Sequence, residues 1–199
     1  MPTGVAIRDA REQLFDAAER VLLREGPTAL TSRAVTAEAG CAKGVLHNHF
    51  VDFDAFLVEL VQDRIAKIEK QSVALRESAG TGTVTGNLTK ALTAVFESVA
   101  VVIVALVISR DGLRDRLRRA SPAGVPVLTE ATAMIATYLA AERELGRIGS
   151  DADIDTLAPM LIGTGHLMFA GREAIPPEAG AVHRVVTTVV AGVVREPHR

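Results

Sequence analysis

Apolar residues recur at helical spacing along almost the whole of this chain. Leu14, Ala17, Ala18, Val21 and Leu22 fall at i, i+3, i+4, i+7 and i+8, one face of a buried helix that Gly26-Pro27 ends. Thr31 and Ser32 then offer hydroxyls to cap a second helix, because its first backbone N–H groups have no helical partner. Val35 and Ala39 give that helix an apolar edge. Ala39-Gly40 closes it, since glycine takes the left-handed conformation without steric cost. A third helix is predicted to start near Ala42, with Leu46 and Phe50 turned inward and Lys43 and His47 on another face, also four apart. Phe53, Phe56, Leu57, Leu60, Val61 and Ile68 mark a long amphipathic helix from about Asp52 into the seventies. The run AGTGTVTG at 79–86 breaks it.

Leu88, Ala91, Leu92, Val95, Phe96, Val99, Ile103 and Leu106 form the next stripe, predicted as one helix because nothing in it reads as a break. Over 101–108 the stripe widens to the full circumference, which predicts burial on all sides. A short basic helix is predicted over 111–120, then a turn at SPAGVP (121–126). Leu128, Ala131, Met134, Ile135, Tyr138 and Leu139 mark a further helix, and 146–153 a loop. Two apolar helices follow, from Ile154 to about Arg172 and from Ala179 to Arg195, separated by Pro176-Pro177. No alternating polar–apolar strand pattern of useful length occurs. The prediction is an all-α fold of about nine helices: an N-terminal three-helix helix-turn-helix domain over 1–51 and a C-terminal helical bundle over 52–199.

Composition narrows the chemistry. The chain is 199 residues, 48% hydrophobic, with aromatics at 4%, too few for base-stacking platforms. Net charge is −2, and residues 1–50 hold six Lys/Arg against six Asp/Glu, so any surface for phosphates must be small and local. A single cysteine, Cys41, excludes an intramolecular disulfide and fits a reducing compartment. The longest fully apolar run, 99–108, is short of the roughly 18 residues of a membrane span, so a cytoplasmic protein with no membrane partner is expected. There is no nucleophile elbow, phosphate-binding glycine loop or metal-spaced Cys/His set, so no catalytic residue, metal or cofactor is predicted.

Residues 31–50, TSRAVTAEAGCAKGVLHNHF, have the layout of a helix-turn-helix, in which the second helix enters the major groove of DNA. With Leu14–Ala17–Ala18, Gly26, Thr31, Val35, Ala39–Gly40, Lys43–Gly44, Leu46 and His47-Asn48-His49-Phe50, residues 8–58 resemble the TetR (tetracycline-repressor) family of bacterial transcriptional regulators. The resemblance implies a three-helix DNA-binding domain and a six-helix domain holding a small-molecule pocket. It also implies a homodimer paired through the last two long helices, and a ligand that releases operator DNA. Two positions depart from the family: His47 stands where an aromatic, most often Tyr, is usual, and Val51-Asp52-Phe53-Asp54 lacks the usual lysine at the start of the fourth helix.

Thr31, Ser32, Arg33, Ala42, Lys43, Gly44, His47, Asn48 and His49 are the candidate contacts to double-stranded DNA. Lys43, with Asn48 second, is placed for base edges, and Thr31, Ser32, Arg33 and His47 suit phosphates. For His49 a structural hydrogen bond competes with a phosphate contact. Cys41, near a helix start, reads as a packed thiol in preference to a redox switch. Phe96, Val99, Ile103, Met134, Tyr138, Met160, His166 and Phe169 are the candidates to line a pocket for a mainly apolar effector, with Tyr138 as its polar anchor. The arginines at 110, 114, 116, 118 and 119 read as exposed helix surface. Val182, Val186, Val189, Val190 and Val193, with Leu161 and Gly165, are the candidate dimer interface, because so wide an apolar stripe left bare would be a liability. Gly163 and Gly165 would let another helix approach closely. The rival to a ligand-released repressor is a helical small-molecule-binding protein whose DNA binding has weakened.

Overall fold

The structure, a computed structural model, describes residues 6–120, 124–170 and 177–195. Ten α-helices and no strand lie among them: α1 Ala6–Glu25, α2 Ser32–Glu38, α3 Val45–His49, α4 Phe53–Glu77, α5 Val84–Phe96, α6 Ala100–Ser109, α7 Asp111–Ala120, α8 Leu128–Glu144, α9 Ile154–Phe169 and α10 Ala181–Val190. The fold is all-α, as the periodicity predicts. No single helix among the described residues is long and apolar enough to cross a membrane.

The tenth helix comes from a break the apolar stripe conceals. Instead of one helix from 88 to 106, α5 stops at Phe96 and α6 begins at Ala100. Ser98 sits at the break with its Oγ turned to the Val95 carbonyl, while the Ala100 N–H donates to the same Oγ at 3.4 Å. A serine hydroxyl that takes a backbone acceptor and supplies one competes with the i→i−4 ladder and ends it locally. Nor is α6 buried all round, since Ala105 and Ile108 face solvent. The helix ends expected at Arg172 and the turn residues at 121–123 lie outside the described residues.

The chain forms two compact units. The first takes residues up to 63 and returns for 102–123; the second takes 64–101 and the rest from 124. The first unit therefore extends past the boundary expected at residue 51 and recruits α7. Helices α4 and α6 contribute to both.

In the first unit, Leu14, Ala17, Ala18, Val21 and Leu22 of α1 are almost wholly buried, together with Leu30, Val35, Leu46 and Leu57. Phe15, Phe50 and Phe56 meet with ring centroids 5.0–5.9 Å apart, the Phe50–Phe56 pair edge to face. In the second unit α8 packs on α9, and α10 packs on α5 and α9. Gly165 lets Phe96 lie against α9: a Cβ there would fall 2.5 Å from the Phe96 ring. Gly163, by contrast, is open to solvent.

The valine stripe of α10 faces into its own subunit. Val182, Val186 and Val190 are buried within the single chain, as are Leu161 and Gly165 of α9, and Val189 is half covered. Their apolar surface is covered by α5 and α9, so they need no second subunit to shield it. Val193 lies beyond α10, where Ile148 and Val194 form an isolated antiparallel bridge and the Gly149 N–H donates to the Val193 carbonyl at 2.8 Å. What α9 leaves open is a different stripe: Pro159, Met160, Gly163 and Leu167, the last 76% exposed.

Candidate nucleic-acid interface and effector cleft

Local chemistry shapes the two helices at 31–50. Thr31 caps α2, its Oγ1 accepting from the Ala34 N–H at 3.1 Å. The other end closes in a double turn. The Gly40 N–H donates to the Ala37 carbonyl and the Cys41 N–H to the Thr36 carbonyl, with Gly40 at φ 65°. Regular α3 then starts at Val45, not at Ala42. Ala42, Lys43 and Gly44 form the turn that leads into it, with the Val45 N–H on the Ala42 carbonyl. Leu46 and Phe50 are buried, and Ala42, Lys43, Gly44, His47 and Asn48 are exposed together. Lys43 and His47 thus share an open surface, but Lys43 reaches it from the turn.

Which cations remain available is decided by ion pairing. Arg20 and Arg24 of α1 both bind Glu38, at 2.7 and 2.9 Å, and hold its carboxyl below the usual range, Arg20 chiefly. Arg11 pairs with Glu59, lies 4.4 Å over the Phe50 ring and donates to the His49 carbonyl at 3.2 Å. It fastens the end of α3, and the sequence gives no local sign of it. For His49 the structural bond falls on its backbone carbonyl, and its ring is half-buried. Arg33 and Lys43 are exposed and make no ion pair among the described residues. Of the remaining candidates, Thr31 is exposed, whereas the Ser32 Oγ is buried and has no hydrogen-bond partner among the described residues. Cys41 is half-buried.

At the start of α4, Asp52 caps the helix through the Ala55 N–H at 2.6 Å and takes both terminal nitrogens of Arg116 at 3.0 Å. That fork holds the Asp52 carboxyl below its ordinary range. Phe53 stacks on Phe56 and carries the Arg110 guanidinium 5.6 Å above its ring, and Arg110 donates to the Leu30 carbonyl at 2.7 Å. Two of the arginines read as plain surface are therefore braces that hold α7 to the ends of the helix-turn-helix. Arg114 pairs with Asp111, while Arg118 and Arg119 are exposed.

The second unit holds a cleft of about 460 Å³ lined by Gln71, Ala74 and Leu75 of α4, Ser78 and Thr81 of the turn that follows, Asn87, Lys90, Ala91 and Ala94 of α5, and Met134 of α8. Of the expected lining residues only Met134 is there. Phe96, Phe169 and His166 form an aromatic group instead, with Phe96–Phe169 centroids at 5.9 Å. Burial depresses the His166 imidazole, whose Nδ1 has no partner among the described residues. Val99 and Ile103 are buried packing, and Met160 is exposed. Tyr138 is wholly buried, and its hydroxyl is satisfied inside the protein: it donates to Glu142 at 2.5 Å and accepts from Asn87 at 3.1 Å. Asn87 alone belongs to both this group and the cleft.

Residues 14–60 match the family model for bacterial regulatory proteins of the tetR family. No curated protein sequence matches the chain. Solved structures share its fold over nearly their whole length. A TetR-family transcriptional regulator from Agrobacterium tumefaciens superposes with a TM-score of 0.71 at 12% identity, covering 94% of this chain and 99% of that one. The reduced form of NemR from E. coli gives 0.70 at 16% identity, covering 94% and 98%. FadR from Bacillus subtilis, in complex with stearoyl-CoA, gives 0.67 at 16% identity, covering 91% and 98%.

Proposed function

We propose that the protein is a ligand-released repressor, because residues 14–60 match the model of the tetR family and solved structures of such regulators share its fold. It binds a pseudo-palindromic operator as a homodimer in the cytoplasm. The observation that carries this reading is that Arg33, Lys43, His47 and Asn48 are all exposed within residues 31–50, and both full cations lack a carboxylate partner among the described residues. Two such surfaces related by a twofold axis read half-sites about 34–36 Å apart. Release requires the effector to bind the DNA-incompetent arrangement more tightly, since equal affinity for both shifts nothing. Helix α4, which contributes residues to both units, is the connecting element.

The α9 stripe of Pro159, Met160, Gly163 and Leu167 is the proposed dimer face, in place of the valines of α10. Met160 and Leu167 are seven residues apart, on one side of the helix, and both are exposed apolar side chains. Replacing both with glutamate is expected to convert a dimer into a monomer of half the mass in sedimentation, with the helical circular dichroism unchanged. A double variant that remains dimeric moves the interface elsewhere.

The test of the function is in vitro selection of random duplex DNA with the purified protein at low salt. An enriched palindrome supports the repressor. Failure to enrich any sequence, from folded and dimeric protein, favours a ligand-binding protein with weakened DNA binding. That alternative draws on Arg11, Arg20 and Arg24 being spent on internal pairs.

A further inference from the structure

We infer that the cleft between α4 and α5 is a site for small organic anions with an apolar body, a carboxylate or phosphate monoester on a short hydrocarbon frame, with Lys90 as the residue that selects the charge. This rests on the regulator reading only in making the ligand an effector. The site itself stands on three observations.

The walls are two helical stripes of matched spacing. On α4 the lining residues fall at 71, 74 and 75, with 78 just past its end, and on α5 at 87, 90, 91 and 94, so each helix gives the cleft one continuous face. Ala74, Ala91 and Ala94 leave room that larger residues would fill, and the buried Met134 closes the cleft with an apolar surface. Its volume of about 460 Å³ falls within the range of small-molecule sites, roughly 300–1,000 Å³.

The charge in the lining is of one sign. Among the described residues Lys90 is the one ionised side chain of the lining, no carboxylate joins it there, and it makes no ion pair. An ammonium at the edge of an apolar cleft attracts an anion and repels an amine, and discrimination by charge needs no further contact.

The lining also holds an unmet polar group. The Gln71 Oε1 is buried and has no hydrogen-bond partner among the described residues. Buried acceptors are nearly always paired, so an unpaired one in the wall of a cleft marks a place where a ligand or water completes the bond. The hydroxyls of Ser78 and Thr81, by comparison, already donate to the carbonyls of Leu75 and Ser78 at 2.6 Å.

The experiment compares four probes with one hydrocarbon body: octanoate, octyl phosphate, octylamine and octan-1-ol. Each is titrated into the full-length protein by calorimetry without DNA. Octanoate or octyl phosphate is expected to bind at least tenfold more tightly than the amine or the alcohol, and the better of the two tells carboxylate from phosphate. Lys90→Ala is expected to remove that preference, Lys90→Glu to reverse it in favour of octylamine, and Ala91→Trp to abolish binding of all four. The inference is overturned if neither anion binds at millimolar concentration, if the amine or alcohol binds as tightly as the anions, or if Lys90→Glu leaves the order unchanged. Since no DNA is present, a protein that binds the anions yet selects no operator keeps this site and loses the regulator reading.

Discussion

Glu142→Ala is expected to lower the stability of the protein by about 3–5 kcal/mol, the cost of leaving one partner of a buried ion pair alone. For a chain of this length that corresponds to a fall in melting temperature of about 10 °C. Glu142 is fully buried, while Arg147 is 26% exposed and lies 3.3 Å from it. Partial exposure of the arginine places the loss toward the lower end, but the ion pair is only one of three bonds removed. Tyr138 donates to the same carboxylate, and the Gly80 N–H donates to it at 3.2 Å. Arg147 also donates to the Gly82 carbonyl at 2.7 Å, so one carboxylate ties α8 to the turn between α4 and α5. Glu142→Gln keeps an acceptor for Tyr138 and removes the charge, so it should cost less than half as much. Equilibrium unfolding in urea, followed by circular dichroism, measures both. An alanine variant within 1 kcal/mol of the parent would mean that water reaches the site and takes over its bonds.

The same group has a pH signature. Burial first, and then the bond to Glu142, raise the Tyr138 phenol above its ordinary value. The neutral phenol is the form the fold prefers. Its contribution is fully present below the unfolded value of about 10 and declines as pH rises past it.

Local pattern carried most of the fold. The α1 stripe, the capped α2 with its Gly40 closure, and α7 at Asp111–Ala120 follow from spacing and end signals between near neighbours. The break at Ser98 did not follow, because a single serine inside an unbroken apolar stripe carries no periodic signal, and its effect depends on where its hydroxyl turns. The valines of α10 show a second limit. Spacing marks an apolar face but does not say what covers it, and here α5 and α9 do so within the subunit. Contacts distant in sequence were illegible for the same reason. Arg116 reaches Asp52 across 64 residues, and Arg110 reaches Leu30 across 80. The Arg116 fork on Asp52, with the Arg110 guanidinium over the Phe53 ring, gives the sequence VDFD at 51–54 a role in holding α7. The cleft is not legible in the sequence because the alanines that open it, Ala74, Ala91 and Ala94, read as ordinary packing.

Lys43→Ala should weaken operator binding about tenfold and reduce the salt dependence by about one unit of slope if the side chain meets a phosphate. If it meets a guanine edge instead, it should cost about 1–3 kcal/mol at one position of the operator. His47→Ala should weaken binding less, by several-fold, and more evenly across sequences. Neither change should move the melting temperature, because both side chains are exposed and neither makes a hydrogen bond or ion pair among the described residues. Arg24 is the internal control. It carries the same charge on the same unit but is held by Glu38 and Glu25, so Arg24→Ala should leave the salt slope unchanged. Fluorescence anisotropy on the selected operator across a salt series separates these outcomes. A slope that falls for Arg24→Ala but not for Lys43→Ala would place the DNA on α1 and discard the surface built from the turn and α3. The reverse, with melting temperatures equal, ties the loss to phosphate and base contacts and not to folding, since the ion pairs of α1 already account for its charge.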